Sequence, residues 1–308
     1  MPTVVGSRST AEVDGDAEGA ISLVDAHCHL NHERFGAEAA AVAEAARAAG
    51  VVRLLVPGWN AASSERAVSL ARELGWVDAA IGIHPHDAAK ADEAAWARIE
   101  ALVLDPVVVA VGETGLDYDR LFSPVDAQLE NLDRHLELAL RVGKPIVLHC
   151  RSKPGRRDAQ DALLDVLRRW RAVAGTPTAS SAPRPRAILH SFSGPVDYGL
   201  EALRLGCLVS FSGLVFRTGE GASAEVARLA PEDAVLVETD APFLAPPGVP
   251  RSRNEPGWVR VTARWLAEVR GADPRALGSR FVATYDACFA RAAQAGAARP
   301  EAGESGRG

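Results

Sequence analysis

"LVDAHCHL", residues 23–30, is an apolar run broken by two histidines one residue apart, in a chain with only 8 histidines among 308 residues. Alternate residues of a strand share a face, so His27 and His29 project to one side of an extended segment that a sheet would otherwise bury. Seven further short runs of strand character follow, at 51–58 (VVRLLVPG), 77–84 (VDAAIGIH), 107–113 (VVVAVGE), 145–150 (PIVLHC), 186–191 (RAILHS), 207–212 (CLVSFS) and 234–240 (AVLVETD). Alanine- and leucine-rich stretches of helical periodicity separate them. This alternation predicts a parallel sheet of βα units, and eight units predict a closed (β/α)8 TIM barrel. The helix after the fourth run is the clearest: Ser123 reads as its N-cap and Pro124 as its first residue, with Val125, Leu129, Leu132, Leu136 and Leu140 on one face.

The hydrophobic share, 47%, is enough for a substantial core, and the length suits one barrel of about 250 residues with tails. Residues 1–20 and 293–308 are small and polar and are expected to be disordered, leaving 21–292 as the barrel domain; "AVAGTPTASSAPRPR" (172–186) reads as a surface loop. No apolar run approaches the roughly 20 residues that cross a bilayer, and the acidic N-terminal stretch lacks the pattern of a secretory signal. A cytoplasmic protein is expected, without membrane association or an obligate protein partner. Cys28, Cys150, Cys207 and Cys288 form no C-x-x-C pair, which leaves buried free thiols as the expectation. The formal net charge of −6 argues against a broad basic surface.

In a barrel of this kind, functional groups come from the C-terminal ends of several strands. His27 and His29 sit there on strand 1, Glu113 ends strand 4, His149 strand 5, His190 strand 6 and Asp240 strand 8. Any one of these taken singly is ordinarily a packing or capping residue. Four imidazoles and two carboxylates on one rim would be mutually repulsive or unsatisfied without a cation. A single zinc is satisfied by about three protein ligands and a water, so six donors predict two divalent ions: His27, His29 and Asp240 on one, His149 and His190 on the other, Glu113 bridging. The residual positive charge of such a centre suits a phosphodiester anion better than a neutral amide. Imidazole-rich ligation favours Zn²⁺ or Mn²⁺, whereas Mg²⁺ prefers oxygen.

The ordered series "DAHCHL", "GIHPHDA", "GETGLDY", "PIVLHCRS", "ILHSFSG", "ETDAPFLAP" and "RNEP" resembles the motifs of the TatD family of metal-dependent deoxyribonucleases, over about residues 22–290. The resemblance implies an amidohydrolase-type barrel acting on DNA, with relatives described as 3′-to-5′ exonucleases on single strands or nicked ends and often as magnesium-dependent. It carries over to His27, His29, Glu113, His149, His190 and Asp240, the six residues already chosen. It also implies a place near the site for His84, expected to donate to a substrate phosphate oxygen. Asn31 and Thr284 depart from residues common in relatives, and neither is a proposed ligand.

Within that reading, Asp240 is expected to take the proton of the attacking water. Arg151, Arg253 and Asn254 are candidate contacts to substrate phosphates. An acidic chain is expected to hold short single strands or frayed DNA ends chiefly through its metals. A different class, a binuclear amidohydrolase or deaminase acting on a small molecule, is also open to this barrel. Many such enzymes use a carboxylated lysine on strand 4, where this chain has Glu113; Lys144 lies before strand 5, at the wrong end. A third class, a catalytically silent interaction protein, is disfavoured by the complete donor set.

Overall fold

A computed structural model of the chain describes residues 21–173 and 186–289. Both expected tails and most of the 172–186 loop lie outside the described residues. Eight parallel strands follow chain order around one sheet: β1 Leu23–Asp25, β2 Val51–Pro57, β3 Val77–Ile81, β4 Val108–Asp117, β5 Ile146–Arg151, β6 Ala187–Leu189, β7 Leu208–Phe211 and β8 Val235–Val237. The ends of the sheet meet, since the Ala26 amide donates to the Val237 carbonyl at 3.0 Å, the Asp240 amide to the His27 carbonyl at 2.9 Å and the His29 amide to the Ala241 carbonyl at 2.7 Å. The predicted (β/α)8 TIM barrel is the observed fold. Most of its strand residues are aliphatic and buried, as a parallel sheet covered by helices requires.

The surrounding helices are α1 Ala39–Ala48, α2 Ala61–Leu74, α3 Glu93–Leu102, α4 Val125–Val142, α5 Asp158–Val173, α6 Val196–Arg204, α7 Gly221–Leu229 and α8 Val259–Arg270. α9, Pro274–Cys288, packs where the chain enters β1: a Cβ on Gly278 would meet the Ser22 carbonyl oxygen at 2.8 Å. The Tyr285 hydroxyl donates to Asp78 Oδ2 at 2.9 Å from the same helix.

Several boundaries differ from the sequence reading. Pro124, at φ −57° and ψ 154°, is the cap position of α4, so the helix proper starts at Val125 and Ser123 lies outside it. The Ser123 hydroxyl instead donates to the His86 carbonyl and accepts from the Ala89 amide, tying the loop after β3 to the loop after β4. β4 runs four residues past Glu113, to Asp117. β1 stops at Asp25, whose carboxylate takes the amides of His27 and Thr239 and the Thr239 hydroxyl. His27, His29, His84, His190 and Asp240 therefore stand on the segments just beyond their strands, where backbone pairing gives way to side-chain bonds.

Candidate metal centre

The six predicted donors meet at one place. Glu113, almost wholly buried, turns one carboxylate oxygen to each half of the rim. Its Oε2 lies 3.3 Å from His27 Nε2 and 3.5 Å from His29 Nε2. Its Oε1 lies 2.8 Å from His190 Nε2, 3.4 Å from His149 Nδ1 and 3.3 Å from His84 Nε2. Asp240 Oδ1 stands 3.5 Å from His29 Nε2 and 3.8 Å from His27 Nε2. The rings of His27 and His190 stack at 3.8 Å. Three overlapping sets, His27–His29–Glu113, His27–His190–Asp240 and His84–Glu113–His149, each bring one donor atom per residue within 4.8 Å of the others.

These donors fit a cation. The Nε2 atoms of His27 and His29 face each other at 3.2 Å, and Glu113 Oε2 is buried without a hydrogen-bond partner. Two imidazole lone pairs and a carboxylate oxygen aimed at a common point require a shared positive charge. Burial keeps His27 neutral, and hence a competent ligand, by lowering its pKa. Burial also opposes charge on Glu113, but the imidazoles of His190, His84 and His27 outweigh it and hold the carboxyl well below its ordinary range. His84 is pushed down to about 4, again by burial.

Two buried carboxylates that the sequence reading passed over fix the imidazoles of β5 and β6. Asp117 Oδ2 accepts from His149 Nε2 at 3.2 Å and from His86 Nε2 at 2.8 Å, while Oδ1 takes the amides of Asp119 and Arg120. Burial works against that charge, and the hydrogen bonds from His149 and His86 overcome it, so Asp117 ionises well below the usual carboxylate range. Glu238 Oε1 accepts from His190 Nδ1 at 3.2 Å and from the amide and hydroxyl of Ser191. Each carboxylate accepts from the ring nitrogen facing away from the centre, so the nitrogen facing Glu113 is the one that would hold a metal. The signal was present in the strand period: Asp117 is four residues past Glu113, and Glu238 two before Asp240.

The remaining candidates are placed differently. His84 belongs to the donor cluster itself, its Nδ1 accepting the His86 amide at 3.1 Å. Arg151 is exposed and paired with Asp119 at 2.7 Å; Arg253 is exposed and paired with Glu38 and Glu255. Asn254 is fully buried, and its amide donates to the carbonyls of Thr239 and Phe243, bracing the loop that carries Asp240. α8 follows a 3-10 turn at Pro256–Trp258 just beyond it. Asn31 donates to the carbonyls of Pro57 and Ser63, pinning the segment after His29 to β2 and α2. Thr284 is buried in α9, away from this rim.

Residues 24–290 match the family described as TatD related DNase. The chain is 35% identical over 262 residues to the 3'-5' ssDNA/RNA exonuclease TatD of Erwinia billingiae, covering 83% of this chain and 94% of that protein. It is 34% identical over 248 residues to the uncharacterized metal-dependent hydrolase YabD of Bacillus subtilis, covering 80% and 91%. Among solved structures, YJJV, a TatD homolog from Escherichia coli, superposes with a TM-score of 0.76 at 27% identity, covering 87% of this chain and 97% of that one. A barrel with this donor set, matched along nearly its whole length, belongs to the TatD-related DNase family.

Proposed function

We propose that the protein is a divalent-metal-dependent phosphodiesterase that removes nucleotides from the ends of single-stranded or frayed DNA. The observation that carries the reading is Glu113, whose two oxygens face two separate groups of imidazoles. That division supports two ions: one held by His27, His29 and Asp240, the other by His149 and His190, with Glu113 between them. When bound, the ions supply Lewis acidity to the phosphoryl oxygens and acidity to a water. Zinc or manganese suits so many imidazoles better than magnesium. The 3′-to-5′ direction and the acceptance of RNA named for the Erwinia relative are carried over as parts of this proposal.

Asp240 serves as the base. Its side chain is 13% exposed, so water reaches it, and Oδ1 points to the same centre as His27 and His29. His84, whose Nε2 lies 3.3 Å from Glu113 Oε1, donates to a phosphate oxygen in exchange for that contact. Arg151 and Arg253 reach substrate only by leaving their carboxylate partners, which makes them minor contacts. With a net charge of −6 and many of the described arginines, among them Arg72, Arg98, Arg134 and Arg141, tied to carboxylates, the balance of charge does not suit a grip on long duplex. Ends held at the metal centre fit that balance. A cytoplasmic location belongs to the same reading and agrees with four free cysteines, three of them buried.

A small-molecule amidohydrolase is the competing chemistry. Lys144 donates to the carbonyls of Val103 and Val108 at the opposite end of the barrel, so it cannot bridge ions here. The test is Asp240→Asn: hydrolysis of a single-stranded oligonucleotide should fall to background while elemental analysis still finds metal. Near wild-type cleavage by that variant sinks the assignment of the base, and wild-type cleavage of a dihydropyrimidine amide but not of DNA sinks the nuclease reading.

A further inference from the structure

Clustered exposed apolar side chains mark binding surfaces more than isolated ones do, and the rim around this centre carries a cluster of aromatic rings. Phe243, 38% exposed, stands 5.9 Å from the His29 ring at 73°, and half-buried Trp59 stands 5.5 Å from it at 74°. His32 lies between them, 5.4 Å from Phe243 and 5.7 Å from Trp59. Two guanidinium groups face the same rings: Arg34 is 5.4 Å from the Phe243 centroid and Arg66 is 5.5 Å from that of Trp59. Both are exposed, and among the described residues neither pairs with a carboxylate. Arg53, Arg98 and Arg134, by contrast, are all tied to acidic partners. Arg66 is held in place by its bond to the Asn31 carbonyl at 3.1 Å.

We infer that Trp59 and Phe243, backed by Arg34 and Arg66, form a stacking platform for the terminal base of a single strand whose scissile phosphate lies at the metal centre. The inference rests on the nuclease reading and names how that site takes its substrate. Every base has a π face, so stacking grips an unpaired end without reading sequence, while a base within duplex is already stacked on its neighbours. The two unpaired arginines supply local positive charge for the phosphates next to that base, where the chain as a whole is acidic. Across the barrel, Phe122 is 64% exposed, but its ring neighbour His86 is committed to Asp117, and Arg151 there is committed to Asp119. The β1–β2–β8 side is therefore the one arranged to receive the base.

The experiment uses short labelled single strands with the terminal base removed at one end or the other. Binding is followed by fluorescence anisotropy and cleavage by product analysis. Removing the base at the attacked end should weaken binding to the wild-type protein by about tenfold. Trp59→Ala should lose most of that discrimination, Trp59→Phe should keep it, and Phe243→Ala, at an exposed position, gives the same test if the tryptophan variants do not fold. Arg34→Gln should lower the slope of log affinity against log salt by about 0.7. Equal binding of intact and abasic strands by the wild type, or a full abasic penalty in both alanine variants, overturns the platform. If the wild type neither binds nor cuts any strand, the nuclease reading fails first and the platform goes with it.

Discussion

The two halves of the centre hold their imidazoles by different means. On the β4–β6 side, His149 and His190 are each tethered through the ring, to Asp117 at 3.2 Å and to Glu238 at 3.2 Å. On the β1–β8 side, the Nδ1 atoms of His27 and His29 are buried without partners. There the carboxylate of Asp25 and the amide of Asn254 act on the backbone: Asp25 binds the amides of His27 and Thr239, and Asn254 binds the carbonyls of Thr239 and Phe243. One half orients each imidazole through its ring. The other holds the path of the chain that carries the imidazoles. Loss of a support should therefore damage metal affinity in the first half and fold stability in the second.

The largest effect is expected where the halves join. Glu113→Gln removes the one carboxylate that both sides face, so bound metal measured by elemental analysis should drop and hydrolysis should fall to background. Retention of full metal content would show that the halves bind independently of it.

Asp117→Asn and Glu238→Gln sharpen the comparison. A carboxamide can turn its NH₂ toward His149 Nε2 or His190 Nδ1, which must then accept and leave the proton on the nitrogen facing Glu113. That is the wrong tautomer for a ligand, so metal affinity by calorimetry should weaken about 10–100-fold with little change in melting temperature. Unchanged affinity in both variants would end the tautomer argument.

The smallest effect on metal is expected from Asp25→Ala and Asn254→Ala. Each leaves buried backbone groups unpaired, at a cost of about 1–3 kcal/mol in urea unfolding, with metal affinity changed less than in the Asp117 and Glu238 variants. Burial raises the Asp25 pKa, partly offset by the bonds from Thr239, so its bonds rather than its charge carry this role. A large loss of metal affinity with normal stability would reverse the proposed division.

Much of the fold was legible because the barrel repeats a simple period. Eight apolar runs between amphipathic helices leave few other ways to bury both faces of a parallel sheet. The six donors were legible for a related reason: polar residues that close apolar runs can only emerge at a strand end. Asn254 was misjudged because a polar residue in a loop motif looks the same in sequence whether it faces solvent or, as here, spends its amide on two carbonyls. His84 was read as a rim residue facing substrate; only the packed loops show that its Nε2 comes within 3.3 Å of Glu113.

The amino-acid pattern alone specifies the (β/α)8 barrel, its rim and the six side chains that converge there, because strand period and hydrophobic burial act locally and repeat. Tertiary structure alone decided which oxygen of Glu113 faces which histidines, which carboxylates tether which rings and which arginines stay unpaired. Those relations join residues far apart in the chain, such as His27 and Glu113 or His190 and Glu238, through contacts a few ångströms long that no local pattern encodes.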